Sequence, residues 1–316
     1  MKKVSLFMML AIGFVSCNSE ETTSGTELQA PVAERKCSTM DVLDEQLKAD
    51  PSLQARMNEI EAFTETAISQ GKLVNGKIVI PVVVNVLYRT TAENVSLAQI
   101  QSQIDVLNRD FNATNSDWGS VPALFAGVKA NVGISFELDQ VIRKQTTKTS
   151  WSTNDAVKKT AQGGLNPTSP TTKLNLWVCT LSGGVLGYAQ FPGGSSATDG
   201  VVILNTGLGT TGTAAAPFNK GRTATHEVGH WMNLRHIWGD ATCGSDLVAD
   251  TPTHNTANYG VPSYPHYSTC SGTPVEMTMN YMDYVDDAAM YMFSNGQKSK
   301  MLAVFASGGP RYSFAQ

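Results

Sequence analysis

The run Thr225 to Asp240, THEVGHWMNLRHIWGD, holds three of the five histidines of the 316-residue chain and restricts its fold more than any other stretch. On an α-helix His226 and His230 project from one face, where two imidazole nitrogens can grip one zinc ion while Glu227 points into the adjoining space. Six further residues of unbroken helix would carry His236 away from that face, so the chain must bend between His230 and His236 if all three rings are to meet. Asn233 suits the bend, because after glycine asparagine is the residue most tolerant of positive φ. Three neutral imidazoles leave zinc a fourth position for water, and the ion draws that water's pKa towards neutrality. Glu227 can take the proton as the water attacks a carbonyl and return it to a leaving amine. Chance HExxH matches occur in ordinary helices; the third histidine, the bend residue and a downstream Met282 separate this run from them. Met282, in Asn280-Tyr281-Met282-Asp283-Tyr284, is expected to form an apolar floor beneath the histidines.

With 41% hydrophobic and 16% charged residues, the chain can bury one large core plus a smaller segment. Its net charge of −4 offers no basic face for nucleic acid. No stretch beyond the N-terminus has the apolar length of a membrane span. Residues 1–17 read as an export signal, with Lys2 and Lys3 ahead of the short apolar run Leu6 to Val15. Phe14-Val15-Ser16-Cys17 is a loose lipobox in which Cys17 would carry lipid, and residues 18–33 would be a polar tether. Ordinary signal cleavage with Cys17 unmodified is the alternative. The expected location is extracellular or on the outer cell surface, with the lipid as the one membrane attachment.

Residues 34–73 read as a small helical prosegment. Thr39 or Asp41 can start a helix carrying Leu43 and Leu47, and Asp50-Pro51 caps a second with Leu53, Met57, Ile60 and Phe63 at helical spacing. Gly71 stops it. The main domain then spans 74–316. Its first buried strand is the β-branched run Ile78 to Val86, interrupted by Pro81. A helix follows in which Ser96 and Gln99 fit a capping box and Leu97, Ile100, Ile104, Leu107 and Phe111 make one core-facing stripe. Strands are expected at Ile134 to Leu138, Leu174 to Cys179, Gly187 to Phe191 and Val201 to Leu204, separated by Gly-, Ser- and Thr-rich loops. This order implies an α/β sheet packed on two helices.

HEVGHWMNLRHIWGD, followed by CGSDLVADTP and then MNYMDYVDDA, resembles the pappalysin family of metzincin metallopeptidases, in particular its bacterial secreted branch. Weaker matches extend the likeness from about Cys37 to the C-terminus. The resemblance implies the metzincin fold of the α/β (α+β) class. That fold is a twisted mixed five-stranded sheet with two long helices, an active-site cleft and an irregular C-terminal subdomain, here behind the prosegment. It implies a zinc-dependent endopeptidase acting on proteins or peptides. A catalytically silent surface lipoprotein that keeps the fold for binding is the alternative; such a relative would be expected to lose Glu227 or a zinc histidine, and none is lost.

Residue roles follow from the resemblance. Gly187, Tyr188 and Ala189 stand where the family's edge strand pairs with extended substrate, an ordinary hairpin being the alternative. Tyr284 matches the tyrosine that can swing onto zinc in the free enzyme and stabilise the oxyanion, unless it is simply a core tyrosine. Asp287, with Asp286 as the other candidate, matches the aspartate of relatives that prefer Arg or Lys after the scissile bond. Ser245 to Thr251 resembles a calcium loop in which Asp246, Ala249 and Thr251 would supply oxygen ligands.

Cysteine usage fits an oxidising compartment. Cys243 and Cys270 flank the loop between the zinc motif and the methionine turn and are paired here, with free buried thiols as the alternative; Cys179 packs inside a strand. Relatives often carry a further cysteine after the matching Asp pair, where this chain has Ala288 and Ala289. Cys37 is left without an evident disulfide partner. A thiolate is a good zinc ligand, and relatives carry an Arg-Cys-Gly-Thr cysteine switch at this place, from which Lys36 and Ser38 depart. Cys37 is therefore expected on the metal in a latent form, a free or oxidised tether cysteine being the alternative.

Overall fold

The computed structural model describes residues 1, 34–74 and 76–315. The export signal, the tether and Cys17 fall outside the described residues, apart from Met1. Among those described, no helix is long and apolar enough to cross a membrane.

Two helices come first, α1 (Thr39–Ala49) and α2 (Ser52–Ser69). Pro51 stands at the N-cap of α2, the Asp50 carboxylate just before it accepts from the Ser52 N–H at 3.1 Å, and Gly71 ends that region at φ +64°. α1 starts at Thr39, one of the two expected positions; Ser38 precedes it as N-cap, and the Thr39 hydroxyl is buried and used elsewhere. On α2 only Leu53 of the expected apolar row is fully buried, while Met57, Ile60 and Phe63 are half-buried, because one side of this helix stays open to solvent.

A five-stranded sheet carries the main domain, in the order β2-β1-β3-β5-β4. Its members are β1 (Ile78–Tyr88), β2 (Ile134–Gln145), β3 (Leu174–Cys179), β4 (Gly187–Ala189) and β5 (Val201–Leu204). β1, β2, β3 and β5 pair in parallel, whereas β4 is antiparallel to β5 and forms the edge of the sheet, its outer side meeting residues 36–39. Strands covered on both faces can be apolar throughout, and all six residues of β3 are buried. As expected, β1 runs through Pro81. The proline lies one residue before the pairing with β3 begins at Val82 and next to a bulge at Val82/Val83, where its missing N–H costs little.

Helix α3 (Leu97–Phe111) packs Ile100, Ile104, Leu107 and Phe111 on the sheet, but Leu97 at its start is 59% exposed. Half of the expected capping box forms, as Ser96 accepts from the Gln99 N–H. The Gln99 amide instead donates to Asn205 O, Leu208 O and Thr213 Oγ1 and ties down the loop that leads to α4 (Arg222–Trp231). Between α4 and α5 (Asn295–Val304) the chain is irregular and braced by a Cys243–Cys270 disulfide. Beyond α5, Arg311 stacks on Trp231 at 3.8 Å, pairs with both Asp199 oxygens and donates to Trp231 O, which fastens the C-terminal segment to the end of α4.

Candidate metal and peptide site

Every residue of α4 is buried, and the helix runs from Gly221 at φ +75° to Asn233 at φ +72°. That left-handed asparagine stops the helix while the Leu234 N–H returns to Gly229 O at 3.0 Å. The turn swings His236 back, so His230 Nε2 lies 3.2 Å from His226 Nε2 and 3.1 Å from His236 Nε2. Each ring is held from behind through Nδ1, by Tyr281 O, Leu234 O and an Asp240 carboxylate oxygen. With those protons facing outward, the inward nitrogens are bare lone pairs. Burial pushes His226 and His230 well below the usual histidine pKa, so the rings stay neutral. Three such nitrogens packed this closely repel one another unless a cation lies among them, and the donor set suits zinc. The Cys37 sulfur is a fourth donor, all four ligand atoms lying within 4.8 Å of one another.

Met282 fixes the floor. A side chain at Gly229 would meet the Met282 sulfur at 2.5 Å, so the two histidines of α4 must be separated by a residue without one. Trp238 stacks on His236 at 4.4 Å and Tyr284 packs edge-on against both rings. Nothing in the sequence analysis singled out Trp238 or Asp240, although Ile237-Trp238-Gly239-Asp240 after the third histidine places a carboxylate four residues from His236.

Glu227 lies against the free edge of the sheet. A Cβ on Gly187 would come within 2.9 Å of Glu227, so glycine there is demanded by the glutamate beside it. Burial raises Glu227 to about 7, an effect opposed by hydrogen bonds from Thr39 and Cys37 and by the Arg35 charge. The free edge itself is taken by residues 36–39, which run parallel to β4: Leu186 N–H donates to Lys36 O, and Ser38 N–H to Gly187 O. The Thr39 hydroxyl accepts from Ala189 N–H at 2.8 Å and donates to Glu227 Oε2 at 2.9 Å. The Tyr284 hydroxyl donates to Cys37 O at 3.1 Å.

Arg35 is buried with its guanidinium on Asp287 at 2.6 Å, on Thr223 Oγ1 and on Val285 O, and its cation lies over the Phe218 ring. The other Asp287 oxygen accepts from Lys220 N–H. Asp286 makes no such contact. Arg35, separated from Asp287 by 252 residues, could not have been placed there from sequence. Of the candidate calcium residues, Asp246 and Thr251 are in contact, 2.9 Å apart. Asp246 takes the Thr251 hydroxyl and the Val248 N–H, burial raises its carboxyl to about 6, and Ala249 is exposed. Among the described residues, Cys37 and the three histidines form a cluster of His and Cys ligand atoms close enough together to hold a metal ion.

A helix broken in this way, to bring a third imidazole over a buried methionine beneath an antiparallel sheet edge, belongs to the metzincin class of zinc endopeptidases. Residues 170–306 match the peptidase family M43, described as pregnancy-associated plasma protein-A. An extracellular metalloprotease of Verticillium alfalfae is 32% identical over 238 residues, covering 70% of this chain and 76% of that protein. Mature mirolysin of Tannerella forsythia, solved with a cleaved peptide, is 42% identical with a TM-score of 0.74, covering 77% of this chain and 97% of that one. A promirolysin mutant from the same organism is 39% identical with a TM-score of 0.81, covering 89% of this chain and 97% of that one. The chain belongs to the pappalysin family and is a zinc metalloendopeptidase.

Proposed function

We propose that this chain is an exported endopeptidase held latent by its own residues 34–73, and that once freed it cuts peptide bonds that precede Arg or Lys. The observation that carries the reading is the path of residues 35–39 across the site: a guanidinium on Asp287, a thiol among three imidazoles, and a hydroxyl on Glu227. Further support comes from the larger share of the chain that resembles promirolysin, 89%, than mature mirolysin, 77%. The secreted relatives are named extracellular metalloproteases, which agrees with export.

His226, His230 and His236 would hold the zinc, with Cys37 as fourth ligand in the latent chain. When bound, the ion acts as a Lewis acid that makes a water nucleophilic near neutral pH. The remaining work falls to side chains and backbone. Freed of Thr39 and Cys37, Glu227 takes the water's proton and hands it to the departing amine. Freed of the Cys37 carbonyl, the Tyr284 hydroxyl donates to the oxygen that gains charge as the peptide bond is attacked. The edge of β4, with the Leu186 and Ala189 N–H groups and the Gly187 carbonyl no longer engaged, pairs with extended substrate. The buried Asp287 carboxylate needs a cation in contact with it, and a substrate guanidinium or ammonium would replace Arg35.

The test is to incubate the mature protein with a denatured substrate, with and without a zinc chelator, and to map the cut bonds. One zinc per chain, loss of cleavage on chelation, recovery with zinc, and cuts before Arg and Lys are expected. Cleavage that survives removal of the metal would sink the reading. Asp287→Ala is expected to lower kcat/KM for an arginine substrate by about 10- to 100-fold, while a substrate with alanine after the bond changes little, since a buried charge-assisted pair is lost only in the first case. Equal effects on both substrates would show that Asp287 shapes the fold and not the specificity.

A further inference from the structure

Phe191 follows the edge strand β4 and is only 4% exposed, yet it stands outside the main core. It sits in a separate apolar cluster whose other members all come from α1 and α2: Leu43 and Leu53, with Met40, Leu47 and Met57 packed against them. Its ring also meets that of His230 at 5.5 Å, edge-on, which puts it against one of the three clustered histidines. If residues 34–73 leave, Phe191 loses all of those cluster partners at once while the backbone that carries it stays in place.

We propose that Phe191 is the floor of a subsite for an apolar side chain on the part of the substrate that precedes the scissile bond. The inference rests on the reading above, and direction supplies its second leg. Residues 35–39 run parallel to β4, from Arg35 at Asp287, past Cys37 at the histidines, and on into α1, whose Leu43 covers Phe191. A substrate that places the residue after the bond at Asp287 must therefore place the residues before the bond at the Phe191 end, running opposite to residues 35–39. The latent chain offers a cation to one end and leucines to the other, and each end is matched by its chemistry: a carboxylate at the first, an aromatic face at the second. The cleft beside Phe191 is walled on the main-domain side by Asn233, Arg235 and Leu247, which leaves room for a Leu, Met or Phe side chain once α1 and α2 are gone.

The experiment digests a proteome-derived peptide library with the mature enzyme and aligns the cut sites. Expected are Leu, Met and Phe enriched within the three positions before the cut, together with Arg or Lys directly after it. Phe191→Ala is expected to erase the first preference and keep the second, and to lower kcat/KM about tenfold for a leucine-bearing peptide relative to its glycine counterpart. A flat wild-type profile before the cut, or an apolar preference that survives Phe191→Ala, overturns the assignment. Should Phe191→Ala fail to fold, Phe191→Leu keeps the packing and is expected to weaken selection of Phe against Leu; an unchanged ranking overturns it equally. Loss of the Arg and Lys preference in the wild-type profile would instead count against Asp287, so the two failures are told apart.

Discussion

Replacing Glu227 with alanine is expected to leave one zinc bound per chain and to lower peptide hydrolysis by about 10²- to 10⁴-fold, the range over which a positioned general base acts. The two effects separate because different groups carry them. The three Nε2 atoms are aimed by Tyr281 O, Leu234 O and Asp240, none of which touches Glu227. The glutamate's own partners are Thr39 and Cys37, both in residues 34–73 that the proposed activation removes. Its buried carboxyl, raised to about 7 with residues 34–73 in place, is unfavourable in ionised form, so alanine removes a desolvated acid and not a supporting contact of the fold. Metal analysis and hydrolysis of a denatured protein by the mature variant check both halves. Unchanged activity would refute the role of base, and lost zinc would turn Glu227 into a residue that holds the site together.

Local signals in this sequence were readable where periodicity or a required φ decides the outcome. The bend at Asn233 is such a case, since no unbroken helix can bring His236 to His230, and the structure gives that residue φ +72°. β3 and β5 likewise follow from short apolar runs between turn-forming residues. Misreadings arose where a side chain had a choice of partner. Gln99 fits a capping box by spacing, but three acceptors on the loop at 205–213 win it. Least legible were contacts between the ends of the chain. Nothing in the spacing of residues 34–39 tells that Arg35 reaches Asp287 or that Thr39 reaches Glu227, because such pairing is set by how the sheet edge presents itself after folding.

Those long-range contacts shape what Cys37→Ala should do. The variant is expected to convert to the mature form faster than wild type, by about tenfold for each 1.4 kcal/mol of closure that the sulfur supplies. It should not become fully active before cleavage. Arg35 keeps its bonds to Asp287, Thr223 and Val285, residues 36–38 keep their backbone bonds to β4, and Tyr284 still donates to the carbonyl of residue 37, which alanine retains. Thr39 keeps Glu227 and Ala189, and α1 and α2 still cover Phe191. What alanine gives up is the one atom of the segment able to occupy the metal's fourth position, so water enters more often while the segment remains docked. Conversion is expected through cleavage between Thr64 and Lys77. Lys72 and Lys77 are exposed there, and a bond before either lysine would suit a pocket built on Asp287. Following the precursor band over time, with the N-terminus of the product sequenced, measures the rate and locates the cut. A Cys37→Ala precursor that matures at the wild-type rate and stays equally inactive until cleaved would assign latency to Arg35, Thr39 and the two helices, and leave Cys37 no part in it.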